Sequence, residues 1–385
     1  MPSPERRSVY FAPVPRQPLP GALGAAARNK VVGICLALRA AGAHPTIVSA
    51  FRQDGKRGVV VSEADGIGYA ETWSRGRGPL RRITAALALL VTYFRLIRRD
   101  DHILFYNYFP EYVPIALVRR LIGRPCMIDI EDGPADDWST PGRAFSRALW
   151  HVMLALCSNR RLIVSHGLAQ QHGIATYLPV YGVVDTFAAA PTERFTDAVL
   201  RVNLGGTMNH EMGVDLLSAA VRLLIARQPD LPIHVHVSGN YDPALFAAVA
   251  QEAAATTGIR VFLDIGLDEA AYRTMLERVD VGLSLRLVAG EIGRTTFPSK
   301  VIEIAARGML LVKTSVSDVP RIFGDDEAVI LPSDTPDALA DALVGIAENR
   351  AEARERARRG RDRVHKMAGA QAVGQAILSF IDGRS

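Results

Sequence analysis

Between residues 200 and 314, five short apolar runs alternate with longer amphipathic ones, and no other feature of the chain restricts its fold so tightly. The runs LRVNL (200–204), IHVHV (233–237), RVFLD (260–264), VGLSL (281–285) and LLVKT (310–314) have strand length. Helical patterns at 214–227, 244–255, 269–279 and 299–307 separate them. Strands this apolar, each followed by a helix, are those of a parallel sheet buried on both faces, because parallel neighbours need a crossover between them. The expectation is a complete doubly wound α/β domain.

The first half shows the same rhythm less sharply. Strands are expected at 9–12, 45–50, 103–106, 126–130 and 162–164, with a further candidate at 58–62. Helices are expected at 25–41, 81–99, 111–121 and 143–157. The pattern breaks at 177–185 (YLPVYGVVD) and passes into a small-residue stretch, where the interdomain linker is placed. A chain of 385 residues is too long for one such domain and suits two. The segment 337–363 is helical and charged, with Glu352 and Arg356, and Glu355 and Arg359, paired four apart on a solvated face.

Composition removes several classes of function. With 49% hydrophobic and 22% charged residues and no low-complexity tract, the chain is globular. The longest greasy helix candidate, 83–94, is shorter than the roughly 20 residues a bilayer span needs, and the N-terminus lacks the apolar core of a signal peptide. Cys35, Cys126 and Cys157 lie far apart in apolar settings, which fits buried, reduced thiols and a cytoplasmic protein. The net charge of +5 suits an anionic partner. Without aromatic platforms or a nucleic-acid motif, nucleic acid is not expected as that partner. The basic, apolar helix 81–99 and the segment 118–124 suit an anionic membrane face, or equally a packed helix with arginine ends. GxGxxG after the first strand, GxxxxGK[ST] and HExxH are all missing, which withdraws support from dinucleotide redox, P-loop and zinc chemistry.

The segment RTTFPSKVIEIAARG (294–308) carries the most chemistry. Thr295 or Thr296 can cap a helix whose early Pro298 is tolerated there. The free amides of such a helix end, with Lys300 in its first turn, form an anion site. Glu303 stands one turn further along and can hold two hydroxyls of a ribose, and Gly308 ends the helix. The plainer reading is a capped helix with a surface Lys–Glu pair.

FPSKVIEIAARGMLLVKTSVSDVPRIF resembles glycosyltransferase family 4, the retaining group 1 glycosyltransferases of GT-B fold. Upstream, LRVNLGGTMNHEMGVDLLSAAVRLL, IHVHVSGN and VFLDIGLDEAAYRTMLERVDVGLSL are similar to that family's opening strand, glycine turn and following elements. RLIVSHGLAQQHG and YLPVYGVVD are similar to its strand–Ser–helix and linker entry. The resemblance implies two Rossmann-like domains facing each other across a cleft. Residues 1–186 would bind the acceptor, 187–368 the nucleotide-sugar, and the helix in 369–385 would return to the first domain.

The implied donor residues are Gly205, Gly206, Thr207, Gly239, Arg286, Glu291, Arg294, Thr295, Thr296, Phe297, Pro298, Ser299, Lys300 and Glu303. The implied catalytic groups are Glu131, Asp132 and Lys300, with Gly21, Gly24, Asn107 and His166 lining the acceptor side. The chain departs from the family pattern in several places. Thr295 stands where the first of the family's two Glu belongs, so Glu291 or Arg294 would read the sugar. Pro298 replaces a glycine, and Glu131 replaces the usual histidine. Thr207 and Met212 replace the phosphate-binding Arg and Lys, a charge assigned here to Lys300 and Arg286.

The resemblance implies retaining transfer of a sugar from a UDP- or GDP-sugar to a glycan or lipid-linked hydroxyl, in cell-envelope polysaccharide or glycolipid synthesis. No metal and no cofactor are expected, and the expected location is the cytoplasm, with the inner face of the membrane as an alternative station. The alternatives are a catalytically impaired scaffold relative and a sugar-nucleotide epimerase.

Overall fold

The computed structural model describes residues 6–17, 25–52, 58–74, 78–134, 140–187, 193–208, 210–287 and 295–384. The chain divides into two compact units, one formed by Met1–Thr186 with Ala368–Ser385 and the other by Phe187–Met367.

The first unit contains an eight-stranded sheet. Its strands are β1 (Arg6–Phe11), β2 (Ala43–Arg52), β3 (Val60–Ala64), β4 (Ile67–Trp73), β5 (His102–Tyr106), β6 (Met127–Ile130), β7 (Arg161–Ile163) and β8 (Tyr177–Pro179). They lie in the order β3-β4-β2-β1-β5-β6-β7-β8, and only β3 runs antiparallel to its neighbour. Helices α1 (Ala25–Ala40), α2 (Gly78–Leu96), α3 (Val113–Leu121), α4 (Pro141–Leu156) and α5 (His166–Gln171) connect them.

Two differences from the sequence reading stand out. Strand β4 was not expected, although Asp65 and Gly66 form a two-residue loop with positive φ (52° and 66°) between paired Ala64 and Ile67. Asp-Gly in that position is a strong short-range hairpin signal, since both central residues of such a turn need positive φ. The expected linker at 177–185 is in part the edge strand β8, which pairs with β7 residue for residue.

The second unit contains a six-stranded, fully parallel sheet in the order β11-β10-β9-β12-β13-β14. Its strands are β9 (Leu200–Thr207), β10 (Ile233–Asn240), β11 (Ile259–Ile265), β12 (Val281–Ser284), β13 (Leu310–Lys313) and β14 (Val329–Ile330). Strand β14 adds a sixth strand to the five expected. Its two residues are too few to carry an apolar pattern. Helices α6 (Val214–Arg227), α7 (Ala244–Ala254), α8 (Glu269–Glu277), α9 (Lys300–Ala306), α10 (Val319–Ile322), α11 (Pro336–Glu348) and α12 (Arg350–Ala368) complete the unit.

The charged segment expected as one helix is split into α11 and α12 at Asn349, whose φ and ψ are not helical. The pairs Glu352–Arg356 (3.1 Å) and Glu355–Arg359 (3.4 Å) are formed. The core is a continuous cluster of strand and helix residues, among them Val202, Val235, Leu283, Val312, Leu217 and Leu343.

The last helix, α13 (Ala370–Asp382), belongs to the first unit and packs on α1. Gly374 allows this, because a β-carbon there would fall on the Ala37 carbonyl. Ile377, Leu378 and Phe380 then enter the core beside Val31 and Leu38. Among the described residues, no helix is long and apolar enough to cross a membrane.

Candidate functional site

In the second unit, β9 carries Gly205-Gly206 and β10 carries Ser238-Gly239 just before their last residues, in register with each other. Gly206 and Gly239 both have φ of +127°, a region open to glycine alone at little cost. A β-carbon on Gly239 would fall on the Gly206 backbone. Gly206 and Gly239 thus bring two strand backbones together with no side chain of their own between them. Beneath them, buried Asn203 donates to Ser238 Oγ (2.8 Å) and to the His236 carbonyl (3.1 Å), which ties β9 to β10 at the point where the backbone turns.

Lys300 lies across this glycine floor. β-carbons built on Gly205 and Gly206 would stand 3.2 Å from its Nζ and 3.1 Å from its Cε. Its ammonium donates to Tyr272 Oη (2.8 Å), lies 5.3 Å from that ring's centroid and stands 3.9 Å from Glu303 Oε2. Burial alone would favour the neutral amine, but Glu303 and Tyr272 outweigh it and raise the pKa, so the group is held as a cation. Glu303 Oε1 accepts from Arg307 Nε (3.2 Å), which orients the carboxylate along the helix.

The helix in this segment differs from the sequence reading. It begins at Lys300, and Ser299 occupies the cap position without a side-chain bond. Thr295 and Thr296 do not cap it, and the Thr296 hydroxyl instead accepts from the Arg286 guanidinium. Pro298 precedes the helix, with its carbonyl taking the amide of Val301 (3.0 Å), while that of Ser299 takes Ile302 (3.2 Å). Two of the first amides are therefore satisfied within the turn, and the positive charge at this place comes from Lys300. Phe297 is buried. Arg286 also reaches Met212 Sδ (3.7 Å), which puts Met212 beside an arginine rather than leaving the region without charge. Glu291 and Arg294, and the side chain of Thr207, fall outside the described residues.

The sequence reading missed Tyr272, Asn203 and Ser238. Each sits in a run that reads as ordinary helix or strand, and only the fold sets them beside the glycine turn. It also missed Lys313, in β13. This lysine is 1% exposed, and its Nζ has no hydrogen-bond partner among the described residues. Burial pushes its pKa down to about 7, against a weaker opposing pull from Asp334.

The first unit presents a different cluster at the carboxyl end of its sheet. Asp129, on β6 and wholly buried, accepts from the Tyr10 hydroxyl and pairs with Lys30 Nζ at 2.9 Å. The same ammonium pairs with Glu131, one residue beyond β6. Asn107, at the end of β5 with φ of +53°, donates its amide to the Asp129 carbonyl (2.8 Å). Its Oδ1 accepts from the amides of Glu131 (2.8 Å) and Asp132 (3.5 Å). Asn tolerates this left-handed backbone better than most residues, which explains its place at the turn. Glu131 is thus half-buried and ion-paired, whereas Asp132 is exposed. His166 opens α5 behind the capping Ser165, with its Nδ1 3.2 Å from Tyr181 Oη. Gly21 and Gly24 lie outside the described residues. Among those described, no group of three or more metal-ligating side chains is found.

Residues 218–379 match the family described as glycosyl transferase-like. Among curated proteins, the chain is similar to phosphatidyl-myo-inositol mannosyltransferase of Mycolicibacterium smegmatis, 28% identical over 155 residues. That match spans 40% of this chain and 37% of the relative's length. Among solved structures it is similar to sucrose-phosphate synthase of Thermosynechococcus elongatus, with a TM-score of 0.67, 14% identity, and 98% and 99% of the two chains covered. It is equally similar to the catalytic domain of starch synthase IV of Arabidopsis thaliana bound to ADP and acarbose, with a TM-score of 0.67, 10% identity, and 99% and 100% covered.

Proposed function

We propose that this chain, of GT-B fold, is a group 1 glycosyltransferase that moves a sugar from a nucleoside diphosphate-sugar to an acceptor hydroxyl. The observation that carries this reading is Lys300 over the Gly205–Gly206 turn. A cation on a floor of bare backbone, with Glu303 one turn along its helix, suits a diphosphate with a ribose attached. Lys300, with Arg286 as second cation, replaces the charge lost at Thr207 and Met212. In the reaction the bond from the anomeric carbon to the diphosphate oxygen breaks and a bond to the acceptor oxygen forms. The ammonium stabilises the negative charge that develops on the departing diphosphate.

Glu131 and Asp132 are proposed on the acceptor side. The carboxylate of Glu131, fixed by Lys30 and by the hydrogen bond of its backbone amide to Asn107, orients the acceptor hydroxyl, whose proton passes to the departing diphosphate oxygen on the same face of the sugar. We assign the outcome as retention, the donor base as uracil or guanine, and the setting as cell-envelope glycolipid or polysaccharide synthesis. The name of the Mycolicibacterium relative supports a lipid acceptor.

An exposed apolar surface in the first unit also supports it. On α2, Ile83, Leu87, Val91 and Phe94 are exposed by 48–66%, and Leu117 and Leu121 on α3 by 46% and 77%. Exposed arginines flank them at 82, 95, 98, 99, 120 and 124. An apolar stripe with a basic rim suits the cytoplasmic face of an anionic bilayer.

The test is incubation of the full chain with UDP- and GDP-sugars and extracted lipid-linked or soluble acceptors, read by product mass and anomeric coupling. Sugar added to an acceptor with the donor's configuration supports the reading. Nucleotide binding without turnover points to a scaffold, and product without acceptor to an epimerase.

A further inference from the structure

Arg194 lies in the segment that enters β9, within the second unit, and is 6% exposed. Its guanidinium donates to carbonyls at the ends of two helices. Nη1 reaches those of Leu276 (3.1 Å) and Glu277 (3.4 Å), in the last turn of α8, and that of Val279 just beyond. Nε and Nη2 both reach the carbonyl of Arg307, the residue that closes α9, at 3.1 and 2.8 Å. The last carbonyls of a helix have no partner within it and carry the negative end of its dipole. A buried cation shared by two such ends therefore ties one helix to the other. Burial lowers the Arg194 pKa to about 10, with Asp280 opposing the shift, so the group stays charged at neutral pH.

The backbone is held in place for this contact. Phe195, the next residue, has φ of +60°, a conformation that a bulky side chain adopts only where its surroundings impose it. Asp280, buried just before β12, imposes it here. Its two carboxylate oxygens accept the amides of Phe195 (2.6 Å) and Arg201 (3.0 Å).

The same two helices carry Tyr272 and Lys300. Tyr272 stands one turn before Leu276 in α8, and Lys300 opens α9 seven residues before Arg307, about 10 Å along the axis. The bond from Lys300 Nζ to Tyr272 Oη is 2.8 Å long. A slide of α8 along α9 by about 1 Å would carry the pair beyond hydrogen-bonding distance. Resting on the reading of Lys300 as the diphosphate cation, we propose that Arg194 is a positioning residue of the donor site. It pins the carboxyl ends of α8 and α9 together, and so keeps Tyr272 against Lys300 and the ammonium over Gly205 and Gly206.

The experiment is a double-mutant cycle. UDP and GDP are titrated by calorimetry into the full chain and into Lys300→Met, Arg194→Lys and the variant carrying both, each below its thermal unfolding. Lysine keeps the charge of Arg194 and loses the fork that reaches both helix ends. Arg194→Lys is expected to weaken the nucleotide that binds by about tenfold. With Lys300 already replaced, the same change should cost less than about twofold, since a residue that works through Lys300 then has nothing to position. If Arg194→Lys is unfolded at the titration temperature, Asp280→Asn, which takes one acceptor from the anchor, replaces it in the cycle under the same criteria. Wild-type affinity in Arg194→Lys, alongside a loss in Lys300→Met, would overturn the proposal. So would a full tenfold loss on top of Lys300→Met, which is the mark of general loosening. Affinity untouched by Lys300→Met would instead overturn the donor-site reading, and the proposal with it.

Discussion

In the first unit a lysine is enclosed between two carboxylates; in the second, one lies over two glycines beside a phenol. Lys30 is 9% exposed and spans Asp129 and Glu131, so its charge is consumed within the fold. Lys300 has 32% of its side chain exposed, and its nearest carboxylate oxygen, Glu303 Oε2, is 3.9 Å away, while the other oxygen of that carboxylate pairs with Arg307. The first arrangement fixes a carboxylate in place and has no cation to spare. The second keeps a cation over bare backbone, where an anionic ligand can approach. In the proposed reading, equal residue types at the ends of two similar sheets are therefore assigned opposite partners: a hydroxyl for the first edge and a diphosphate for the second.

The largest effect that would break this contrast comes from Lys30→Met. It leaves Asp129 buried with only the Tyr10 hydroxyl, and should cost about 3–5 kcal/mol of stability, read by denaturant unfolding. If Lys30 were instead a ligand-binding cation, the loss would be small and nucleotide affinity would fall. Next is Lys313→Met. The folded pKa of about 7 lies below the unfolded value, so the unfolded chain binds the extra proton between those limits. Stability should then rise as pH goes from about 7 towards 10.4, the unfolded lysine value. Removing the amine should stabilise the protein at pH 7 by on the order of 3 kcal/mol, with the gain fading above pH 10. A thermal midpoint for Lys313→Met that stays level with wild type at pH 7 would show that this lysine has a partner. The smallest effect belongs to Arg356→Ala, at the partly exposed pair with Glu352. It should change stability by less than about 0.5 kcal/mol, and serves as the surface control for both buried lysines.

Much of this architecture can be read directly from residue patterns. Of the five apolar runs of the second unit, β12 and β13 are buried at every position, and burial on both faces leaves a pattern that needs no partner to be seen. Strand β4 escaped because its Glu71 and Thr72 interrupt the apolar run, although Asp65-Gly66 announced the hairpin. The start of α9 was misplaced because Thr295, Thr296 and Pro298 all suit a helix entrance locally, while the tertiary bond from Arg286 draws Thr296 away. The network of Tyr10, Lys30, Asp129 and Glu131 joins residues about a hundred positions apart, so no spacing rule can reveal it. Lys300 and Glu303 were legible because both lie on one turn of one helix. Tyr272, their neighbour, comes from another helix and was not.

The most direct test of the donor-site claim is calorimetric titration of UDP and GDP into the full chain and into Lys300→Met and Lys30→Met. The account predicts that one of the two nucleotides binds, that Lys300→Met weakens it by about 10- to 100-fold, and that Lys30→Met leaves its affinity unchanged. Nucleotide affinity that survives Lys300→Met intact would contradict it.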